Sequence, residues 1–223
     1  MVTATTGKFI KGGSFLIEPR LPEEIFTPED IDDQHRLIAQ TAQDFVENEI
    51  VPNLEAIEQK KPGLLRELLR KAAEVGLCAN DVPQKYGGLE MDKVSSALVA
   101  ENISKQASFS VAFSAHTGIG TLPLVWYGTD EQKKKYLPKI AAGEIVCAYA
   151  LSESTSGSDA VNAKTKAVLS ADGKTYTLNG EKMWISNAGF ADLFTVFAKC
   201  AIPDGPDAGT EKLTAFLIER GTP

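Results

Sequence analysis

The stretch Gly143-Glu144-Ile145-Val146-Cys147-Ala148-Tyr149-Ala150-Leu151-Ser152-Glu153 decides the fold. Residues 145–151 are an unbroken apolar run with a glycine before it and hydroxyl-bearing residues after it. That pattern predicts a buried strand. Upstream, apolar residues recur at the helical period of three to four. Downstream, short runs alternate or stay apolar between turn signals. Helices followed by strands argue for an α+β or two-domain chain rather than alternating β-α units.

Working back from residue 143, Thr129 and Gln132 form a capping-box pair that starts a helix, with Tyr136, Leu137 and Ile140 turned inward. Residues 109–127 are mostly apolar around Gly118 and Gly120, which predicts a helix buried on most sides. Residues 92–105 read as a helix with Val94, Ala97, Leu98 and Glu101 on one side. Residues 82–88 (Val-Pro-Gln-Lys-Tyr-Gly-Gly) form an irregular loop. A helix over about 63–75 carries the stripe Leu64, Leu65, Leu68, Leu69 and Ala72. The first helix starts at Thr27-Pro28-Glu29-Asp30, a cap, a first-turn proline and acids suited to the positive helix end. Its apolar face is Ile31, His35, Ile38, Ala42, Phe45 and Ile50, and Pro52 bends or ends it. Residues 1–26 read as a flexible leader, with Phe15-Leu16-Ile17 packing onto the body.

Working forward, residues 163–170, 174–179, 181–187, 193–200 and 213–219 read as strands. Asp172-Gly173 is a hairpin signal, and residues 203–209 form a loop. The expected architecture is therefore multidomain α+β. A leader (1–26) precedes an all-α amino-terminal domain (27–144), and an antiparallel β-barrel or sandwich-like domain (145–223) follows. No Gly-x-Gly-x-x-Gly links a strand to a helix, which argues against a doubly wound nucleotide-binding fold.

Composition narrows the function. The 223 residues carry a formal net charge of -7, a poor match for nucleic acid. The basic run Lys133-Lys134-Lys135 sits beside Asp130 and Glu131 and reads as a solvated helix face. Cys78, Cys147 and Cys200 are scattered, and neither His35 nor His116 has a neighbour at ligand spacing, so no metal site is expected. Unpaired scattered thiols fit a reducing compartment, hence the cytoplasm, or the mitochondrial matrix if the source is eukaryotic.

Two segments are candidates for chemistry. Residues 149–159 run Tyr-Ala-Leu-Ser-Glu-Ser-Thr-Ser-Gly-Ser-Asp. A strand feeding such a turn presents amides and hydroxyls on a small surface, as an anionic or carbonyl-rich ligand requires. An ordinary strand-end turn is the commoner use of such a sequence. Residues 182–189 run Lys-Met-Trp-Ile-Ser-Asn-Ala-Gly. Trp184 could stack on a flat ring while Ser186 bonds its edge, or it could be a core residue.

At these segments the sequence resembles the acyl-CoA dehydrogenase family. Pro83-Gln84-Lys85-Tyr86-Gly87-Gly88-Leu89 is similar to the family's first loop signature. Residues 128–138 (Gly-Thr-Asp-Glu-Gln-Lys-Lys-Lys-Tyr-Leu-Pro) are similar to its last helix before the β-domain. Residues 149–159 and 178–189 are similar to its two flavin-contact segments. All four occur in the family's order, and residues 149–153 and 190–199 look closest to its long- and very-long-chain branch.

The resemblance implies FAD as cofactor. Tyr149, Leu151 and Ser152 would face the flavin, and Trp184, Ile185 and Ser186 would lie along its ring. Ser158 would sit where flavin diphosphate and acyl-CoA substrate approach each other. The implied reaction is α,β-dehydrogenation of a fatty acyl-CoA in fatty acid β-oxidation. A carboxylate takes the α-proton while the β-hydrogen leaves as hydride to the flavin. Electron-transfer flavoprotein is the implied acceptor and a homo-oligomer the implied full-length state. Where the family has Pro after the Glu of the first flavin segment, this chain has Ser154. The family's carboxy-terminal helical bundle, the usual source of the base Glu, is missing, so the base is expected beyond residue 223 and the 223-residue chain is expected not to turn over. An acyl-CoA oxidase of the same fold and a non-catalytic binding module are the alternatives.

Overall fold

The computed structural model describes residues 13–202 and 208–223. The amino-terminal body holds α1 (Asp33–Phe45), α2 (Leu54–Glu58), α3 (Leu64–Glu74), α4 (Lys93–Ile103), α5 (Ala107–Ser114), α6 (Leu122–Tyr127) and α7 (Asp130–Ala141). The strands β1 (Cys147–Ala150), β2 (Lys166–Leu169), β3 (Tyr176–Asn179), β4 (Leu193–Ala201) and β5 (Glu211–Glu219) follow. Among the described residues no helix is long and apolar enough to cross a membrane.

Local chemistry explains most of the helix ends. Residues 28–30 make only a short 3-10 turn; α1 starts later, where the Asp32 carboxylate accepts the His35 amide at 2.8 Å. Ahead of Pro52 the helix loosens into a π turn over Val46–Ile50, consistent with proline's missing donor. Glycine with positive φ precedes α3 at Gly63 and follows it at Gly76. Asp92 caps α4 through the Ser95 amide at 2.8 Å, and Thr129 with Gln132 closes the box at the start of α7. Tyr136, Leu137 and Ile140 are buried as expected.

Three further expectations in this half of the chain are corrected. The buried face of α4 is Ser95, Val99 and Ile103, not Val94, Ala97, Leu98 and Glu101. Apolar residues lie all round this helix, so periodicity could not choose a side. Residues 109–127 are not one buried helix. A π turn over Ala115–Gly120 separates α5 from α6, and Val111, Ile119, Trp126 and Tyr127 are exposed. Phe15, Leu16 and Ile17 are exposed rather than packed on the body.

The sheet is mixed, where the alternation predicted an antiparallel one. β4 is its centre. β5 pairs antiparallel with its full length, while β1 and β2 pair parallel with it, β2 only at Lys166↔Lys199. β2 and β3 form the hairpin around Asp172-Gly173. Alternation reports which face is buried but not strand direction. Parallel pairing of β1 with β4 requires a long crossover, and residues 151–192 supply it. That crossover carries both candidate segments. Residues 181–187 are not a strand, because Trp184 (φ 60°) and Asn187 (φ 66°) adopt left-handed backbone. The loop expected at 203–209 lies largely outside the described residues.

Helices and sheet share one core. Val146, Ala148 and Ala191 pack in the same cluster as Phe45, Leu68 and Phe109. Polar bonds align the junction. Arg66 pairs with Asp192 at 2.8 Å, and Asp192 accepts the Val146 amide at 2.9 Å. Asn187 Nδ2 donates to the Ala112 and Cys147 carbonyls at 2.8 and 3.3 Å.

Candidate functional site

The crossover leaves β1, passes through residues 151–159, forms the β2–β3 hairpin, and returns through residues 180–191 to β4. Its two loops meet at the end of β1. The Met183 amide donates to the Ser152 carbonyl at 3.0 Å, and Lys182 Nζ donates to the Leu151 carbonyl at 3.0 Å. The first loop is closed on itself, with Glu153 and Ser156 exchanging backbone hydrogen bonds at 2.9 and 3.2 Å. Ser156 Oγ donates to the Asp159 carbonyl at 2.8 Å, so exposed Ser158 rides on a braced turn.

Under this junction lies a buried charge. Glu153 Oε1 accepts Lys182 Nζ at 2.7 Å, the Thr165 amide at 3.0 Å and Thr165 Oγ1 at 2.6 Å, and Oε2 accepts the Lys164 amide. The side chains are 5% (Glu153) and 10% (Lys182) exposed. Burial by itself pushes the Glu153 carboxyl up. Hydrogen bonds from Lys182, Thr165 and the backbone amides outweigh it and bring the group down to about 2. It is therefore ionised at neutral pH.

Trp184 follows directly. Its backbone is left-handed, a conformation that costs a non-glycine residue about 1–2 kcal/mol, and its indole is 84% exposed. A large aromatic group held out in solvent on strained backbone is not a core residue, and such strain concentrates at binding sites. Ile185 turns the other way and packs against the helical core. Ser186 is half-buried between the two left-handed residues. One loop thus carries an exposed indole and the other the Ser152 and Ser158 hydroxyls, groups of the kind that hold a planar ligand with a polar edge.

Among the residues singled out from sequence, Leu151, Ser152 and Ser158 lie on the first loop and Trp184, Ile185 and Ser186 on the second. Tyr149 lies apart. Its ring packs on Phe197 at 5.0 Å between centroids and lines a groove of about 760 Å³ between α6 and the β4–β5 face. That groove is apolar, walled by Ile119, Leu122, Trp126 and Leu213, and Trp184 is not part of it. Thr195 Oγ1 is buried at its wall with no hydrogen-bond partner among the described residues.

Sequence reasoning did not single out Glu153, Lys182, Thr165 or His116. A Glu and a Lys inside two candidate segments were a signal, but their pairing appears only once the crossover folds back. His116 is fully buried and its Nδ1 accepts the Cys147 amide at 3.1 Å, which makes Nε2 the protonated nitrogen. Burial pushes its imidazolium down to about 4, only partly offset by Asp192, so the ring is neutral at pH 7.

Two family models match the chain: "Acyl-CoA dehydrogenase, N-terminal domain" over residues 32–144 and "Acyl-CoA dehydrogenase, middle domain" over 148–223. A "Probable acyl-CoA dehydrogenase" of Bacillus subtilis is 49% identical over 213 residues, covering 96% of this chain and 34% of that protein. The human mitochondrial very long-chain specific acyl-CoA dehydrogenase is 46% identical over 151 residues, 66% of this chain and 23% of that protein. In three dimensions the chain matches an acyl-CoA dehydrogenase of Bacillus anthracis complexed with FAD. The TM-score is 0.87 at 50% identity, over 95% of this chain and 35% of that one. The chain therefore spans about a third of the length of the two bacterial proteins and less of the human one.

Proposed function

Because the chain belongs to the acyl-CoA dehydrogenase family, we propose that it provides the flavin-facing surface for α,β-dehydrogenation of a fatty acyl-CoA. The observation that carries this reading is the junction of the two crossover loops. The Met183–Ser152 hydrogen bond and the Lys182 contacts join residues 151–153 to 182–183, with the Trp184 indole uncovered beside them. The residues fit FAD. Trp184 supplies an aromatic face, Ser152 and Ser186 polar groups along its edge, and Ser158 a hydroxyl toward phosphate and thioester. Tyr149 and Leu151 act through backbone, since the Tyr149 ring is committed to Phe197. When bound, FAD supplies the two-electron acceptor.

The chain's own residues bind and orient. Glu153, the buried carboxylate of this face, is occupied by Lys182, Thr165 and two amides, and does not serve as the base for the α-proton. A carboxylate from elsewhere in the whole protein takes that role, and the 223-residue chain by itself does not turn over. The whole protein acts on long-chain substrates as a homo-oligomer in the cytoplasm, or the mitochondrial matrix if eukaryotic, passing electrons to an electron-transfer flavoprotein.

Titration of the purified chain with FAD, followed by flavin absorbance and fluorescence, tests the reading. Saturable binding with a perturbed visible spectrum is expected. Binding no tighter than to an unrelated acidic protein would overturn it, and steady acceptor reduction with a fatty acyl-CoA would overturn the division of labour.

A further inference from the structure

We propose that Glu153 and Lys182 are positioning residues. Their buried pair latches the two crossover loops together and holds the Trp184–Ser152 face in its binding geometry before any ligand arrives. A buried ion pair is seldom a net source of stability, because two desolvated charges cost about as much as their attraction returns. What it supplies is geometry, provided the charges are well hydrogen-bonded. Here three segments meet at the carboxylate. Lys182 comes from the second loop, the Thr165 amide and hydroxyl and the Lys164 amide come from the lead-in to β2, and the carboxylate itself comes from the first loop. Lys182 spends a further donor on the Leu151 carbonyl, so one ammonium touches two residues of the first loop.

The second loop is shaped to this latch. Gly180 lies directly over Thr165, and a Cβ there would sit 2.4 Å from Thr165 Oγ1, the hydroxyl that Glu153 holds. The chain can pass close enough for Lys182 to reach Glu153 only without a side chain at 180. Two residues beyond Lys182, the backbone enters the left-handed turn that lifts the indole into solvent. The Met183–Ser152 backbone hydrogen bond, at 3.0 Å, adds a further tie between the two loops. Both charged side chains are almost wholly buried, at 5% and 10% exposed, and their hydrogen-bond partners all belong to the chain itself.

The ligand half of this proposal rests on the flavin reading above; the latch itself does not. The experiment compares wild type, E153Q, K182M, E153Q/K182M and K182R by amide hydrogen exchange and by FAD titration. In E153Q and K182M, exchange over residues 151–156 and 182–187 should accelerate at least tenfold while α1 and α3 stay protected, and FAD should bind at least tenfold more weakly. The double variant should be no worse than either single, because one interaction has been removed twice, and K182R should recover most of the loss. Unchanged loop exchange, or additive single effects, overturns the latch. Unfolding of E153Q with loss of protection everywhere, repeated in K182M, overturns it too by making the pair a global staple. If wild type binds no FAD, the flavin reading fails while the exchange data still decide the latch.

Discussion

Replacing Trp184 by glycine should leave the fold as stable as before and remove much of its ligand binding. The indole is 84% exposed, so only about one-sixth of its surface is covered. For a side chain of roughly 200 Å² that is some 30–40 Å², or about 1 kcal/mol at ~25 cal/mol per Å². Glycine also makes the unfolded chain more flexible, a loss of about 0.5–1 kcal/mol. Against both stands relief of the left-handed backbone at φ 60°, about 1–2 kcal/mol. The sum lies within about 1 kcal/mol of zero, whereas truncating a packed tryptophan costs about 3–5 kcal/mol. A flavin ring stacked on the indole would cover roughly 80 Å² of it, so losing it should weaken binding by about 2 kcal/mol, some thirtyfold. Guanidinium unfolding of W184G beside FAD titration makes the check, with Trp126 left as the intrinsic probe. A stability loss above about 3 kcal/mol would show an indole that belongs to the packing, and an unchanged FAD affinity would show one that faces something else.

Acid should loosen the chain through two groups in sequence, His116 in the core and Glu153 at the loop junction. His116 falls from its usual 6.5 to about 4 on folding, so its stabilising neutrality is complete above pH 6.5 and is lost between 6.5 and 4. Glu153 falls from 4.5 to about 2, so its contribution to closing the loop junction is complete above pH 4.5 and is lost between 4.5 and 2. H116N, which keeps an acceptor for the Cys147 amide, should flatten the upper part of a stability-versus-pH curve and leave the lower part. T195V should raise stability by about 1 kcal/mol in denaturant melts, because it removes a buried hydroxyl without a hydrogen-bond partner among the described residues and keeps the shape. G143A should lower the melting temperature by several degrees. Its φ is 72°, and a Cβ would sit 2.7 Å from Ala73 Cβ and 3.1 Å from Arg70 Cα, where the turn after α7 meets α3.

What could be read from sequence and what could not divides along a physical line. Patterns that act within one turn or one strand were legible: the stripe of α3, the Thr129–Gln132 cap, the β2–β3 hairpin at Asp172-Gly173, and the change of texture at residue 145. Patterns ambiguous in themselves misled. The nearly all-round apolar α4 gave no face, and the run 109–127 looked buried although it presents Trp126 and Tyr127 to solvent. Strand direction was invisible because alternation is the same in parallel and antiparallel pairs. The candidate site shows the same division more sharply. Its exposed members, Ser158 and Trp184, and half-buried Ser152 stand in segments whose residue types mark them. The residues that hold those segments together, Glu153, Lys182 and Thr165, meet only because β1 and β4 run parallel and the crossover must double back over the end of β1. Parallel pairing is thus what turns two separate turns into one surface. A permutation that made β1 and β4 antiparallel neighbours would keep every residue of the site and lose the site.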